Sequence, residues 1–176
     1  MNLLREAVLA ELVDGVWHTT NQDRFHRILE CGAILPEPEI SEYGRWGGHS
    51  YVRSIGGVSL FDFRGFEAES YSAKYPASSW EYFVPCHRDW DSAVWIEIDH
   101  ESLGSAFISG VELLAKWKAE GSFRRIMPLI EAAHIEQLPC QAFRRAFSVR
   151  REPDDPLVLA LKAGRLKARQ QAPETS

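Results

Sequence analysis

A short segment near the amino end contains the start and stop signals of two consecutive elements. Residues 16–20, "VWHTT", are rich in β-branched and aromatic side chains, which predicts a short strand. Asn21 then suits the N-cap of a helix, Asp23 suits its positively polarised first turn, and Gly32 stands where a left-handed C-cap falls. The segment therefore predicts a strand followed at once by a capped helix, with His18 near the exit of the strand.

The remaining hydrophobic periodicities predict an α+β domain with a mixed, mostly antiparallel sheet and flanking helices. They indicate an amphipathic helix over 2–13, strands over 58–63, 92–99 and 126–135, a short helix over 140–147 and a last strand over 147–151. Pro128 favours an edge or first position for its strand. The aromatic, turn-rich stretch 64–90 predicts a helix or an irregular cover, and the glycine-rich stretch 43–57 predicts a loop.

The carboxyl-terminal segment differs from the domain before it. Pro153 and Pro156 interrupt the chain, so we expect residues 1–151 to form one domain and 152–176 a basic helical tail with a disordered end. From position 144 onward, eight basic and four acidic side chains give +4, whereas the preceding residues carry −9. The acidic body disfavours a duplex-binding surface. The tail is a solvated helix end, or a contact for nucleic acid or an acidic partner.

Composition narrows the class of protein further. The 176 residues are 45% apolar and 26% charged, as in an ordinary globular domain, and no stretch approaches the roughly 20 apolar residues that span a bilayer. We therefore expect no membrane partner. The three cysteines, Cys31, Cys86 and Cys140, are widely spaced without a CxxC pair, which disfavours a disulfide framework and a metal site and indicates the cytoplasm.

Two polar groups interrupt the predicted strands. His18 and Thr19 are adjacent, so alternation predicts that one lies in a cleft and the other in the core, and a structural histidine is the simpler reading of His18 alone. Glu131 interrupts an apolar run, so it either faces solvent from an edge strand or lies in a cleft, because an unpartnered buried carboxylate is costly. Glu97 competes with it but fits ordinary in/out alternation.

A second set of candidates follows the glycine-rich stretch. Tyr51 and Arg53 are two residues apart, so on an extended chain they face the same side. A tyrosine ring stacks on a flat heteroaromatic ligand, and an arginine binds phosphate or carboxylate in a bidentate fork. Ser59, on the following strand, is a candidate for the same pocket. The alternative is a stacked Arg–Tyr pair on a surface loop.

The order of these residues along the chain resembles the ADP-ribosyltransferase fold, in the class whose motif reads His, Tyr, Glu. "WHTTNQDRFHRILECGAILP" looks like the opening of several bacterial and phage members, with an apolar strand, His-Thr and a helix of the form "F..IL..G.I". "PLIEAAHIEQLPCQAF" is similar to their late acidic strand. The resemblance covers roughly residues 15–150 and implies a split sheet.

The resemblance implies an enzyme that uses NAD as its substrate. It assigns contact with the nicotinamide ribose to His18, aided by the backbone of Thr19, and stacking on nicotinamide to Tyr51, with Phe61 and Tyr71 as alternatives. It assigns to Glu131 the binding of a ribose hydroxyl and stabilisation of the charge that develops as nicotinamide leaves. Arg53 is the candidate for holding the pyrophosphate.

The acceptor and the class of function stay open at this stage. Position 129 is leucine, where protein-modifying members often carry Glu or Gln, so nucleic-acid and small-molecule acceptors compete with a protein. One alternative is a non-catalytic binding protein, from a phage or mobile element, that uses its aromatic, glycine-rich surface. Another is an RNA 2′-phosphotransferase-like enzyme, for which we expect more arginines around the pocket.

Overall fold

The computed structural model describes residues 3–37, 50–151 and 159–164, and a seven-stranded sheet is its central feature. The helices are α1 (Leu3–Leu12), α2 (Gln22–Cys31), α3 (Tyr51–Ser54), α4 (Ala68–Lys74) and α5 (Gly110–Ala119). The strands are β1 (Val16–Thr20), β2 (Ala33–Ile34), β3 (Gly57–Asp62), β4 (Ser92–Ile98), β5 (Phe107–Ile108), β6 (Glu131–Ile135), β7 (Leu138–Pro139), β8 (Phe143–Arg151) and β9 (Leu159–Gly164).

The strand order of the large sheet is β5-β6-β3-β1-β4-β8-β9, and each neighbouring pair is antiparallel. β2 and β7 form a separate antiparallel pair. The mostly antiparallel α+β class predicted from the sequence is therefore confirmed. Among the described residues no helix is both long enough and apolar enough to cross a membrane.

The sheet opens between β1 and β3, near its centre. These strands pair only through Val16↔Asp62 and Trp17↔Phe61, whereas β1 continues beside β4 as far as the end of β1 at Thr20. Beyond Trp17 the described residues show no further ladder pairs between β1 and β3. The second half of β1 and the middle of β3 therefore border a gap in the sheet.

The predicted strand–helix unit over 16–32 is confirmed in detail. The Asn21 side chain accepts a hydrogen bond from the Arg24 backbone N–H at 2.9 Å, which caps the first turn of α2. Gly32 ends the helix at φ 79°, and its N–H donates to the Ile28 carbonyl. Because Asn21 caps its first turn, α2 begins directly after the strand that carries His18.

Alternating side chains of the strands build a core on each face of the sheet. Trp17, Phe61 and Trp95 belong to a cluster that also includes Val8 and Leu12 of α1. The strand residues next to these in sequence point to the other face and belong to a second cluster, which also includes Phe25 of α2. They are Val16, Leu60, Val94 and Ile96. The segment 64–90, where a helix or an irregular cover was expected, contains α4 and a 3₁₀ turn at Trp80–Tyr82, and it adds Tyr71 and Trp80 to the first cluster.

Several local predictions are wrong. The strand expected over 126–135 begins only at Glu131, and it lies between β5 and β3 instead of at an edge. Residues 127–130 turn instead, with Leu129 at φ 66°. The helix expected over 140–147 is a single 3₁₀ turn, Cys140–Ala142, followed by β8, because β4 pairs with the chain from Phe143 onward.

The predicted helical tail is also wrong where the structure describes it. Residues 159–164 form β9, which pairs with β8 from Arg151↔Leu159 to Ala146↔Gly164. Ladder hydrogen bonds with an otherwise open strand edge override the modest helix propensity of this segment. The structure does not describe residues 38–49, which include the first part of the glycine-rich stretch 43–57. It also does not describe residues 152–158 and 165–176.

Candidate functional site

A cavity of about 680 Å³ lies where β1 and β3 diverge. Its volume falls within the roughly 300–1,000 Å³ of typical small-molecule sites. Four of the six residues assigned to the site from the sequence line it, namely His18, Thr19, Ser59 and Glu131, as does the alternative aromatic residue Phe61. The imidazole near the amino end and the carboxylate near residue 130 therefore share one crevice.

The Glu131 carboxylate is held at the wall of this cavity by a hydrogen bond to each oxygen. The residue is only 4% exposed. The Ser59 hydroxyl donates to Oε1 at 3.0 Å, and the Met127 backbone N–H donates to Oε2 at 2.8 Å. Burial raises the pKa of Glu131 to about 7, against the lowering effect of these two bonds. Protonated and ionised forms therefore coexist near neutral pH.

A tight turn before β6 fixes the position of Glu131. Its backbone N–H donates to the Met127 carbonyl at 2.9 Å, and Leu129 occupies the left-handed region that disfavours side chains. The Leu129 carbonyl oxygen lies so close to Gly110, at the start of α5, that a Cβ there would come within 1.7 Å of it. Strained backbone held by surrounding structure is common at functional sites. The turn therefore presents the carboxylate in one fixed position.

His18 is a neutral hydrogen-bonding group at the same wall. Its Nδ1 lies 3.1 Å from the Ser59 carbonyl oxygen, and because a carbonyl only accepts, Nδ1 carries the proton and donates. Burial lowers the pKa of His18 to about 4, the Ser59 bond opposes this effect, and the nearby Arg24 charge adds to it. In this tautomer Nε2 is an acceptor at neutral pH.

Ser59 thus joins the two groups. Its carbonyl accepts from His18, and its hydroxyl donates to Glu131. Because the His18 bond crosses the gap between β1 and β3, it replaces a missing rung of the ladder. The two candidate residues are therefore coupled through one residue of β3.

Thr19 also lines the cavity, so the prediction that only one of His18 and Thr19 reaches the cleft is wrong. The reason is the gap in the sheet, which exposes residues of both faces to the same space. Among the described residues, the buried Thr19 Oγ1 has no hydrogen-bond partner. A buried hydroxyl without a partner is costly, so a ligand atom at this place would satisfy it.

Tyr51 and Arg53 do not join this site. They lie on helix α3, so the prediction that an extended chain turns them to one side is wrong. Tyr51 is 1% exposed and donates from its hydroxyl to Glu120 at 2.7 Å, while burial raises its pKa to about 12. Arg53 forms a two-point ion pair with Glu37 at 2.8 and 3.0 Å. Neither residue lines the cavity.

The residues named as alternatives to Tyr51 and Glu131 lie in different parts of the molecule. Phe61 lines the cavity and packs against Phe83 and Trp95 with ring centroids 5.3 and 5.4 Å apart. Tyr71 lines a different, smaller cavity. The competing carboxylate, Glu97, pairs with Arg145 instead of lining the cavity.

Three arginines at the cavity were missed by sequence reasoning: Arg24, Arg27 and Arg125. Arg24 and Arg27 are three residues apart on α2, and the charge of Arg27 contributes to a lowered pKa of Arg24, after the larger effect of burial. Their spacing places Arg24 and Arg27 on one face of α2, but the sequence does not show that this face meets the cavity, and Arg125 had no signal at all. The phosphotransferase-like alternative, which needs arginines at the pocket, therefore stays open.

Within the described ranges, no group of three or more His, Cys, Asp and Glu side chains is arranged to hold a metal ion. A scan against protein-family models and searches of curated proteins and of solved structures found no match to this chain.

Proposed function

We propose that the chain is an NAD-dependent ADP-ribosyltransferase-like enzyme, with its active site in the cavity between β1 and β3. The observation that carries the proposal is the coupling of His18 and Glu131 through Ser59 at one cavity wall. Such a pair suits cleavage of the nicotinamide–ribose bond, because a carboxylate near the ribose stabilises developing positive charge and a neutral acceptor positions the sugar hydroxyls.

The chemistry follows from the charge that moves during the reaction. The bonding electrons pass to the nicotinamide nitrogen, nicotinamide leaves as a neutral molecule, and positive charge develops on the ribose ring. The ionised Glu131 carboxylate stabilises that charge more in the transition state than in the ground state. His18 Nε2 accepts a hydrogen bond from a ribose hydroxyl. An acceptor then bonds to the ribose carbon and releases a proton.

The rest of the cavity suits a dinucleotide. The positively charged Arg24 and Arg27 replace Arg53 as the candidates for holding the pyrophosphate. Phe61 takes the place proposed for Tyr51 as the aromatic ring at the cavity wall. The unpartnered Thr19 hydroxyl adds a polar contact for the sugar or the nicotinamide amide.

The decisive measurement is release of nicotinamide from NAD, with water as the acceptor, together with the thermal shift caused by NAD. We expect Glu131→Gln to reduce the rate by roughly 10²–10³-fold, because it removes the charge that stabilises the transition state. Glu97→Gln is the matched control, since it alters a strand carboxylate outside the cavity and leaves the rate unchanged.

Each negative result has a distinct meaning. Absence of both release and thermal shift rejects the enzyme and favours the non-catalytic binding protein. Release that survives Glu131→Gln shows that another carboxylate acts. Release that falls equally in a folded Glu97→Gln control shows that the effect is not specific to the cavity carboxylate, which rejects the assignment of Glu131.

A further inference from the structure

A basic and aromatic turn projects beside the cavity. It comprises residues 116–125, "KWKAEGSFRR", which contain four basic side chains and one acidic side chain in a protein of net charge −5. We call this segment the basic turn. It runs from the last turn of α5 to Arg125, which lines the cavity six positions before Glu131. The segment therefore connects an exposed surface with the candidate active site.

Phe123 is the most exposed large apolar residue among those described. Its relative exposure is 103%, so no described residue covers the ring. Single exposed apolar residues are common on protein surfaces. Phe123 differs from the other exposed apolar residues because two exposed arginines, Arg124 and Arg125, follow it directly in the chain. The turn thus combines a bare aromatic ring with adjacent positive charge.

The backbone of the basic turn is anchored at several points. The Trp117 indole N–H donates to the Arg124 carbonyl at 2.9 Å, and the Ser122 N–H donates to the Trp117 carbonyl at 3.2 Å. The Tyr51 N–H donates to the Arg125 carbonyl at 2.9 Å. Because these bonds hold both sides of Phe123, binding a ligand to the ring requires little additional ordering of the chain.

Three of the four positive charges of the turn have no acidic partner among the described residues, the exception being Lys116. Arg53, Arg64 and Arg145 each pair with a carboxylate elsewhere in the fold. In the part of the chain that the structure describes, Lys118, Arg124 and Arg125 form no ion pair. The one acid of the turn, Glu120, instead binds Lys116 at 2.8 Å and the Tyr51 hydroxyl at 2.7 Å.

We propose that the basic turn binds a single-stranded nucleic acid, with a base stacked on Phe123 and the phosphates near Lys118, Arg124 and Arg125. Stacking on an exposed aromatic ring requires an unpaired base, and adjacent cations follow the backbone of the strand. In a duplex the base faces are covered by neighbouring base pairs, so no base is available to stack on Phe123. We assign this strand as the acceptor of ADP-ribose, a role that rests on the proposed function, whereas the binding of the strand does not.

The proposal is tested by fluorescence anisotropy without NAD. Labelled single strands of about 20 nucleotides, one DNA and one RNA of the same mixed sequence, are compared with the corresponding duplex over a range of salt concentrations. We expect Phe123→Ala to weaken single-strand binding roughly tenfold. Arg124→Ala with Arg125→Ala should reduce the slope of log affinity against log salt by about 1.4, at about 0.7 per lost phosphate contact.

Two control variants show whether the effects come from stacking on Phe123 and phosphate contact at the basic turn, and not from a general loss of apolar surface or charge. Val111→Ala removes another exposed apolar side chain, and the pair Lys74→Ala and Arg150→Ala removes two exposed charges away from the turn. Both controls should bind as the unaltered protein does. Preference between the DNA and RNA strands identifies the source of the ligand.

Three outcomes overturn the proposal: no single-strand binding, equal binding of the duplex, or binding that Phe123→Ala leaves unchanged. Because these measurements contain no NAD, their failure is distinguishable from loss of nicotinamide release. A protein that binds the strand but releases no nicotinamide supports this inference and rejects the proposed function.

Discussion

Glu131 and His18 respond to burial with pKa shifts of opposite direction in a shared cavity. The pKa of Glu131 rises to about 7, whereas that of His18 falls to about 4. In both cases burial disfavours the charged form. Near neutral pH the site therefore holds a neutral imidazole and a carboxyl group that readily ionises. A substrate with a developing positive charge favours the ionised form of Glu131, which is the form that the proposed reaction needs.

The raised pKa of Glu131 predicts that the stability of the protein depends on pH. Because the folded-state pKa of Glu131 lies above its ordinary value of 4.5, its favourable contribution is present below pH 4.5 and lost as pH rises through about 7. Glu131→Gln removes the charge, so we expect the variant to be more stable at pH 8, by at most about 3 kcal/mol, with a difference that shrinks toward pH 5. Urea unfolding at the two pH values measures this effect.

The same experiment isolates the contribution of His18. Its folded-state pKa lies below the ordinary 6.5, so its contribution is present above pH 6.5 and lost as pH falls through about 4. The Glu131→Gln variant should therefore lose stability more steeply than the unaltered protein over that range. A variant that is less stable at pH 8 contradicts the raised pKa of Glu131.

At the scale of elements, the contact between α5 and the turn before β6 positions the catalytic candidate. Gly110 is the first residue of α5, where its N–H donates to Asp62 at 3.2 Å and the Leu129 carbonyl lies against its Cα. Asp62 also donates from its backbone to the Ile130 carbonyl at 2.7 Å. One end of β3 thus fixes both the helix and the turn.

Gly110→Ala tests this arrangement. In an isolated helix alanine is favoured over glycine by about 1 kcal/mol, yet here its Cβ would overlap the Leu129 oxygen and displace the turn. We expect a loss of about 1–3 kcal/mol in the free energy of unfolding and a fall in nicotinamide release. Val111→Ala, at the adjacent exposed position, is the control. An increase in stability for Gly110→Ala would show that the turn moves without cost.

Sequence reasoning succeeded for the elements defined by local signals. Asn21 and Gly32 carry their capping roles in the sequence itself. His18 and Glu131, which line the cavity, were singled out because each interrupts an apolar run. Tyr51 was misplaced because its spacing from Arg53 was read on an extended chain, whereas Ser50 caps a short helix there. Local patterns do not show which helix face meets a cavity, so the positions of the arginines on α2 were missed.

At the scale of the whole molecule, long-range pairing explains what local patterns did not show. The gap between β1 and β3 depends on how far two strands distant in sequence remain paired. Likewise, β9 forms because β8 offers a long edge, with paired positions from Ala146 to Arg151. Neither feature has a signature within one segment. The cavity and the last strand are therefore properties of the assembled sheet.

The place of β9 in the strand order leads to the last prediction. Three strands, β1, β4 and β8, separate it from the β3 side of the gap, so a chain ending at residue 151 keeps every described residue that lines the cavity. We expect this shortened protein to retain nicotinamide release. It should also self-associate more strongly, because removal of β9 leaves the β8 edge open to pairing with another chain. Light scattering coupled to size-exclusion chromatography, together with the release assay, measures both effects. Loss of release from a protein that remains folded and monomeric would show that the segment beyond residue 151 contributes directly to the site.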